Sequence, residues 1–415
     1  MIMPEKLAIE GGKPVREKPL AGSWPGAMMI GEEEKRAVLE VLESKSLFRY
    51  YGPKPLYKVA EFEKEFAGLV GTKYALAVTS GTAALNVGIA ALEVGPGDEV
   101  IVPSLTFIAS VDAVACQRAV PVFAEVDHSL GLDPEDVERK ITERTRAIMP
   151  VHLRGVPCKM DELMEIAEEH GLKVIEDCAQ SLGVKYKGKR VGSIGDVGAF
   201  SLQLNKLITC GDGGVVATSD EETYDRAVRY HDHGFFRGKE EGEPFIGQVY
   251  RMNELSGAVA LEQLRKLDRI IGLMRRVYDR VVEGIKGIDG ITLREVPDEE
   301  GVAGVSVCFF TEDAETARRF IEALRGEGIP ASLPYGGKPV YAHPQILHQK
   351  TLNKAGCPWR CPLYKGRAEY RMGMCPQTED IAKRAIFINI SPLYTLQDAD
   401  DIVHAIRKVA ENILR

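Results

Sequence analysis

Two charged side chains stand at unusual places in the sequence. Lys206 lies in a nearly uncharged stretch between the strand-like segment AFSLQ and the glycine-rich turn GDGG. A partly desolvated lysine has a lowered pKa and can form a Schiff base with a carbonyl group. Asp177 ends the strand-like segment VIED, where its carboxylate could pair with a cationic ring nitrogen. Both have plainer explanations, because Lys206 could extend its ammonium group into solvent and Asp177 could cap a helix.

Two further features could hold a phosphate and a flat ring. Ser80, Gly81 and Thr82 follow the strand-like segment TKYALAV and open a predicted helix, whose free N–H groups and dipole could bind phosphate. Ser and Thr are also ordinary helix caps. Phe107 follows another predicted strand and could stack on a planar cofactor or pack in the core. Together, the lysine and the aspartate are the two groups by which proteins hold pyridoxal phosphate.

Alternating strands and helices must position these residues. Helix-like apolar spacing covers residues 32–44, 58–69, 82–92, 110–117 and 160–170. Apolar strands cover residues 72–78, 98–103, 119–127, 146–153, 172–178 and 198–203. This alternation predicts an α/β fold with a mostly parallel sheet, buried on both faces. Because open sheets of this kind bind ligands at the carboxyl ends of their strands, we expect the four features to meet there.

A smaller unit is predicted after the alternating region. Residues 252–287 form a predicted long helical region with an interruption at Gly257. The segments VSVCFFT and AIFINI are predicted strands, and residues 313–327 and 396–414 are predicted helices of a small α+β unit. We place the boundary inside the long helical region. This assigns residues 1–270 to a large domain with an N-terminal arm and residues 271–415 to a small C-terminal domain.

Composition excludes several classes of protein. The 415 residues carry a net charge of −8, which argues against a nucleic-acid partner. No apolar run reaches the roughly 20 residues of a membrane helix, and the N-terminus lacks a secretory signal pattern. We therefore expect a cytoplasmic protein with reduced thiols and no membrane partner. Among the eight cysteines only Cys357, Cys361 and Cys375 cluster, and they predict a loop without a metal, with zinc as the alternative.

A series of motifs, in a fixed order along the chain, resembles a known family. These motifs are LAIEGGKPVR, SGTAAL, GPGDEVIVPSLTFIAS, VIEDCAQS, GDVGAFSLQLNK and YRMNELSGAVALEQLRKLD. They resemble the DegT/DnrJ/EryC1/StrS family of pyridoxal-phosphate sugar aminotransferases over nearly the whole chain. The resemblance implies fold type I, the aspartate aminotransferase-like fold, with pyridoxal 5'-phosphate in the large domain. It also implies transfer of an amino group from glutamate or glutamine to a keto-sugar, keto-cyclitol or sugar-acid acceptor.

The resemblance assigns roles residue by residue. Lys206 falls on the Schiff-base lysine and Asp177 on the partner of the pyridine nitrogen. Gln180 falls on the glutamine beside the ring and its phenolic oxygen, and Phe107 on the stacking aromatic. The phosphate contacts fall at one small-residue turn and one strand end, namely Ser80, Gly81, Thr82 and Ser201.

Two positions depart from the family pattern. Val249 stands where an asparagine normally reaches the phosphate of the neighbouring subunit's cofactor, and valine cannot donate a hydrogen bond. Asn253, Gln248 or a backbone N–H would have to replace it. The tripeptide 232–234, Asp-His-Gly, stands where Arg-Asn-His-Gly is common, and the sequence gives no interpretation of that change.

The acceptor is less well determined by sequence. The segment LAIEGGKPVR and the Cys-Pro loop resemble members acting on cyclitols, whereas SLFRYYG, FAEVD, TCGDGG and DHG resemble members aminating an eight-carbon sugar acid. Nucleotide sugars are a third alternative. Candidate acceptor contacts are Arg49, Tyr50, Tyr51, His152, Arg237 and Tyr335. The two early tyrosines could instead pack at a dimer interface, and the histidine could belong to the core.

The resemblance also implies a homodimer with shared active sites, in which residues 45–52 and 247–253 reach the neighbouring site. Two other functions stay open: a dehydratase or epimerase on the same fold, and a non-catalytic cofactor-binding regulator. Dehydratases of the family carry histidine at the Schiff-base position, so Lys206 argues against that chemistry. No basic DNA-binding module is appended, which argues against a regulator.

Overall fold

The structure is a computed structural model that describes residues 5–236, 244–352 and 354–414. All positions named below belong to these ranges unless stated otherwise. The helices, in chain order, are α1 (Glu32–Ser44), α2 (Lys58–Val70), α3 (Gly81–Ala91), α4 (Ile108–Cys116), α5 (Pro134–Lys140), α6 (Met160–His170), α7 (Glu221–Tyr230), α8 (Glu254–Ile285), α9 (Ala314–Gly326), α10 (Pro344–Leu347), α11 (Pro376–Arg384) and α12 (Leu396–Ile413).

The strands form one large sheet, one small sheet and a short hairpin. In chain order they are β1 (Tyr74–Val78), β2 (Glu99–Pro103), β3 (Val120–Ala124), β4 (Thr145–Ile148), β5 (Lys173–Asp177), β6 (Lys185–Tyr186), β7 (Lys189–Arg190), β8 (Val197–Ser201), β9 (Gly214–Thr218), β10 (Thr292–Leu293), β11 (Ser306–Phe310) and β12 (Ala385–Asn389).

The large sheet has the strand order β1-β9-β8-β5-β4-β2-β3. Strand β9 is antiparallel to both of its neighbours, β1 and β8, and the other neighbouring pairs are parallel. The mostly parallel α/β fold predicted from sequence is therefore confirmed. The carboxyl ends of all strands except β9 consequently lie along one edge of the sheet, where a ligand site is expected.

Both faces of the large sheet are covered, and the alternation of side chains in β1 shows how. Ala75 and Ala77 pack into a cluster with α2 and α8, whereas Leu76 and Val78 pack into a second cluster with α3 and α4. Successive residues of a strand point to opposite faces, so an entirely apolar strand is stable only between two layers of helices. None of the described helices has the length and apolar character needed to cross a membrane.

The small unit consists of the antiparallel sheet β10-β11-β12 with helices α9 and α12. Helix α8 passes through residue 270 without a break, and its buried residues share one hydrophobic cluster with both units. The division at residue 270 therefore stays a prediction. The expected interruption at Gly257 is wrong. That glycine lets α8 approach α2 closely, since a Cβ atom there would lie 2.5 Å from the Val59 Cγ2 atom.

The Cys-Pro segment is a series of turns beside β3. Tyr370 donates a hydrogen bond of 2.6 Å to the carbonyl oxygen of Pro121 and receives one from Trp359. Cys375 is buried, whereas Cys357 and Cys361 are half-buried and adjoin one another. In the described part of the chain, none of these three cysteines belongs to a group of three or more His, Cys, Asp or Glu side chains close enough to bind one metal ion.

Candidate active site

A cavity of about 550 Å³ opens at the carboxyl ends of β5 and β8. The structure brings all the predicted cofactor residues to its walls, together with one predicted acceptor contact, Tyr335. These cofactor residues are Ser80, Gly81, Thr82, Phe107, Asp177, Gln180, Ser201 and Lys206.

The first wall of the cavity is the N-terminus of α3. The Ser80 side chain caps this helix by accepting a hydrogen bond of 3.0 Å from the backbone N–H of Ala83. Gly81 lies against the end of β8, because a Cβ atom there would lie 2.7 Å from the Cβ atom of Ser201. Gly214 must also be glycine, since its Cβ atom would lie 2.2 Å from the Ser80 carbonyl oxygen. This close packing leaves backbone N–H groups and hydroxyl groups around a space suited to a phosphate.

Asp177 is held at the floor of the cavity in a defined orientation. Its Oδ2 atom accepts a hydrogen bond of 2.8 Å from the Ser110 hydroxyl, and its Oδ1 atom accepts one of 3.1 Å from the Ala179 N–H. Burial raises the pKa of Asp177, although Ser110 and Ala179 oppose that shift. A buried carboxylate of this kind is stabilised by a cationic partner. The site therefore fits a protonated ring nitrogen.

Lys206 lies in the loop after β8 and is mostly buried. Its backbone is fixed at both ends, because its N–H donates to Gln203 and its carbonyl accepts from Gly26, both at 3.0 Å. Burial lowers the pKa of the Lys206 amine, Asp177 opposes the shift and Arg154 reinforces it. A lysine with a lowered pKa has a larger neutral fraction, and the neutral amine is the form that attacks a carbonyl group.

Ser80, Gly81, Thr82 and Ser201 form what we call the phosphate cradle, and Phe107 and Gln180 border the space between this cradle and Asp177. The Phe107 side chain is 57% exposed, which leaves a ring face open to a planar ligand. Gln180 donates a hydrogen bond of 3.0 Å to the Tyr335 hydroxyl, and burial raises the pKa of that hydroxyl. Tyr335 connects the small unit to the cofactor residues of the large one.

Sequence reasoning missed several residues of the cavity, namely Trp24, Ser110, Arg154, Asp212 and Asn389. Ser110 lies in the motif PSLTFIAS, and a hydroxyl group one helical turn after Phe107 could have been proposed as a support for Asp177. Thr106 extends the same network, with its hydroxyl oxygen 2.8 Å from that of Ser110. Arg154 follows β4 in the chain, much as Asp177 ends β5. Its position after a strand of the large sheet was the signal from which it could have been predicted to line the cavity.

His152 is not brought to the cavity, and the expected acceptor contact finds no support in this geometry. Its side chain is completely buried, with Nε2 3.0 Å from a Glu176 oxygen and Nδ1 accepting from the Cys158 N–H. His152, Glu176 and Cys178 are grouped closely enough to bind a metal. However, Glu176 already accepts three backbone N–H groups, as expected for a structural carboxylate. The core alternative for this histidine is favoured.

The early loop is also outside this chain's cavity. Arg49 is buried and forms an ion pair of 2.7 Å with Glu63, and the Tyr50 hydroxyl lies 3.3 Å from His231. Tyr51 is 69% exposed. Arg237 lies outside the described residues.

The segment with the unusual valine packs beside the phosphate cradle. The Tyr250 carbonyl accepts a hydrogen bond of 2.9 Å from the Thr79 N–H, and Arg251 pairs with the buried carboxylate of Asp232. Val249 is 46% exposed. The Asn253 side-chain oxygen caps α8 by accepting from the Ser256 N–H. Its oxygen is therefore occupied within the chain.

A buried aspartate and a desolvated lysine face one cavity, and a phosphate cradle lies beside them. On a mostly parallel sheet, this arrangement defines a fold type I pyridoxal-phosphate enzyme. The sequence profile of the DegT/DnrJ/EryC1/StrS aminotransferase family matches residues 28–407. The chain therefore belongs to that family, and it is a pyridoxal-phosphate-dependent aminotransferase.

Three known proteins illustrate the similarity. GDP-perosamine synthase of Escherichia coli O157:H7 is 40% identical over 318 residues, which cover 76% of this chain and 86% of that protein. L-glutamine:2-deoxy-scyllo-inosose aminotransferase of Streptomyces fradiae is 34% identical over 439 residues, 98% of each chain. The crystal structure of DesV from S. venezuelae shares 32% identity and a TM-score of 0.78, covering 91% of this chain and 94% of that one.

Proposed function

We propose that this aminotransferase converts a ketone of a sugar, cyclitol or sugar acid to an amine, with glutamate or glutamine as the donor. The observation that carries the proposal is the placement of Lys206 and Asp177 in one cavity beside a phosphate cradle. Its relatives include sugar and cyclitol aminotransferases by name. Amino-sugar biosynthesis is the process that this reaction serves.

Each residue has a separate task in the proposed reaction. When bound, pyridoxal phosphate supplies an aldehyde that takes up the amino group and a ring that accepts the electrons of the Cα–H bond. Asp177 keeps the ring nitrogen protonated, and Ser110 fixes the carboxylate that does so. The Lys206 amine would take the proton from the substrate Cα as a general base and deliver it, as a general acid, to the cofactor carbon that carried the aldehyde. The first turn of α3 and Ser201 hold the phosphate, and Phe107 holds the ring.

The proposed assembly is a homodimer in the cytoplasm. Exposed apolar side chains are found in the two segments predicted to reach a neighbour, at Leu47, Tyr51 and Val249. Exposed apolar residues concentrated in such segments favour a protein–protein contact. Arg49 and Tyr50 lie outside the cavity of their own chain, so their predicted acceptor contact would be made in the neighbouring site.

The spectrum of the bound cofactor tests this function. Glutamate or glutamine should convert the yellow protein to a colourless amine form, and a suitable keto-sugar or keto-cyclitol should restore the yellow colour. A panel with one nucleotide-linked keto-sugar, one keto-cyclitol and one keto-sugar acid would assign the acceptor class. Absence of conversion by either donor would reject the proposed donors. Loss of water from a sugar without change of the amino donor would favour the dehydratase.

A further inference from the structure

Among the described residues, the cavity is lined by a guanidinium group that the proposed reaction steps do not use. Arg154 lines the cavity together with Lys206 and Asp177. Its Nη1 atom donates a hydrogen bond of 2.7 Å to the Asn389 side-chain oxygen. Its guanidinium carbon lies 4.7 Å from the centre of the Phe387 ring. These two contacts fix the position of the group and leave other N–H donors of its fork available.

Among the described residues, this guanidinium forms no ion pair with a carboxylate, and its side-chain partners are the Asn389 oxygen and the Phe387 ring. The Asp177 carboxylate of the same cavity accepts hydrogen bonds from the Ser110 hydroxyl and the Ala179 N–H instead. The charge of Arg154 reaches the interior of the site. It reinforces the lowering that burial gives the pKa of Lys206 and opposes the rise that burial gives the pKa of Tyr335. A half-buried cation without an anion is a site for an anionic ligand.

The backbone supports a role for this side chain. Arg154 has φ 50° and ψ 47°, and Tyr335, which lines the same cavity, has φ 47° and ψ 33°. Both are non-glycine residues in the left-handed region, a conformation that costs free energy. Glycine at either position would relieve that cost but remove a side chain from the cavity. Strain retained at two lining residues of one cavity is typical of a ligand site.

We propose that Arg154 binds a carboxylate group of the substrate, with Asn389 as the residue that positions it. The inference rests on the proposed function and adds the ligand chemistry of this wall of the site. The planar fork of arginine matches a carboxylate with two parallel hydrogen bonds. The carboxylate could come from the amino-acid donor or from a sugar-acid acceptor, since both occupy the cavity in turn. A neutral cyclitol would not use Arg154.

Equilibrium binding to the holoprotein tests the proposal without requiring turnover. The probes are 2-oxoglutarate for the donor source, and D-glucuronate with uncharged D-glucose for the sugar-acid source. The variants are Arg154→Gln and Arg154→Lys, with Arg146→Gln as the control. Arg146 lies on β4, is 56% exposed on its side chain and pairs with Asp98, away from the cavity. The absorbance of bound cofactor verifies that each variant is folded.

We expect Arg154→Gln to raise the Kd of a carboxylate probe by about tenfold or more, the usual value of a charge-assisted hydrogen bond. Arg154→Lys should retain part of the affinity, and Arg146→Gln all of it. An effect on 2-oxoglutarate alone assigns the donor, and an effect on D-glucuronate but not D-glucose assigns a sugar acid.

Two results would overturn the inference. In the first, the Arg154→Gln variant binds 2-oxoglutarate and D-glucuronate as tightly as the wild-type protein does. In the second, the wild-type protein binds neither carboxylate. These outcomes can be distinguished from a failure of the proposed function. A wild-type protein that glutamate decolourises, but whose carboxylate affinity ignores Arg154, keeps the function and rejects this role. Arg154-dependent binding without amino transfer does the reverse.

Discussion

The ionisation of two residues at the centre of the site is set by burial. Burial raises the pKa of Asp177 and lowers that of Lys206, so each is shifted toward its neutral form. A cationic ring nitrogen beside Asp177 would reverse the first shift, because opposite charges favour ionisation. The neutral lysine suits attack on an aldehyde. A bound cofactor would thus stabilise the ionised Asp177 and react with the neutral Lys206 amine.

Replacing Asp177 by asparagine should slow amino transfer by about a hundredfold to a thousandfold, because the ring nitrogen loses its anionic partner. The change is nearly isosteric and keeps one oxygen for Ser110. Single-turnover decolourisation by glutamate measures the rate. Asp212→Asn, at a second carboxylate among the described residues that line the cavity, is the control and should reduce the rate much less. Equal losses in the two variants would contradict the role of Asp177.

His231 should make the protein sensitive to mild acid. Burial, reinforced by the Arg49 guanidinium, lowers its pKa from 6.5 to about 4. A depressed folded-state pKa gives stability that is present above pH 6.5 and is lost as the pH falls toward 4. The loss at pH 5 should be about 2 kcal/mol of unfolding free energy. Urea unfolding at pH 7 and pH 5 measures it.

The matched variant His231→Asn should lack this part of the pH dependence while other groups keep theirs. If the two proteins lose the same unfolding free energy between pH 7 and pH 5, the depressed pKa of His231 is contradicted.

The residues predicted from sequence to act in the reaction line one cavity, because each follows or ends a strand of the large sheet. Lys206 and Asp177 share that local pattern, and the sheet then brings them together. Arg154 was missed although it also follows a strand, because its direction depends on a left-handed backbone conformation that no local pattern specifies. For His152 the sequence left both core and cavity open, because the choice between them depends on its contacts with Glu176 and Cys158.

At the scale of elements, local patterns were sufficient for isolated amphipathic helices and insufficient where packing decides. The predicted bounds 32–44 and 160–170 are those observed for α1 and α6. Strand β9 was not assigned, since its short apolar sequence follows a glycine-rich turn without any indication of direction. The continuity of α8 through Gly257 follows from contact with α2, which is remote in sequence.

The contact between the α3 cradle and β9 gives a prediction at this scale. Gly214→Ala should destabilise the cradle and weaken cofactor binding, because the new Cβ atom would lie 2.2 Å from the Ser80 carbonyl oxygen. Cofactor affinity measured by absorbance titration should fall by at least about tenfold, the equivalent of 1.4 kcal/mol. Gly68→Ala is the control, since Gly68 lies in α2 with open space around its Cβ position.

The control should retain cofactor affinity and gain up to about 1 kcal/mol of helix stability. A Gly214→Ala protein with wild-type cofactor affinity would show that this packing does not shape the cradle.

At the scale of the whole molecule, the cavity lies where the two units meet. Tyr335 and Asn389 come from the small unit, and the cradle, Asp177 and Lys206 come from the large one. The proposed dimer would add residues 45–52 and 247–253 of a neighbour. The general fold was predictable because strand–helix alternation is a repeated local signal, whereas association of subunits leaves only exposed apolar residues as a trace.

The proposed dimer is tested by Tyr51→Asp. Tyr51 is 69% exposed, and a charge within the proposed apolar contact should shift the protein from dimer to monomer and reduce activity with it. Sedimentation velocity measures the mass. Leu363→Asp, at a residue 64% exposed outside the two segments, should leave the dimer intact. A wild-type monomer with full activity would contradict the shared site.

The central claim is that Lys206 carries the cofactor of an aminotransferase. Borohydride reduction of the purified holoprotein, followed by peptide mass mapping, tests it most directly, because reduction makes the lysine–cofactor bond permanent. The predicted result is a single reduced adduct on Lys206 that disappears when the protein is first decolourised with glutamate or glutamine. An adduct on another lysine, or an adduct on Lys206 that neither donor removes, would contradict the account.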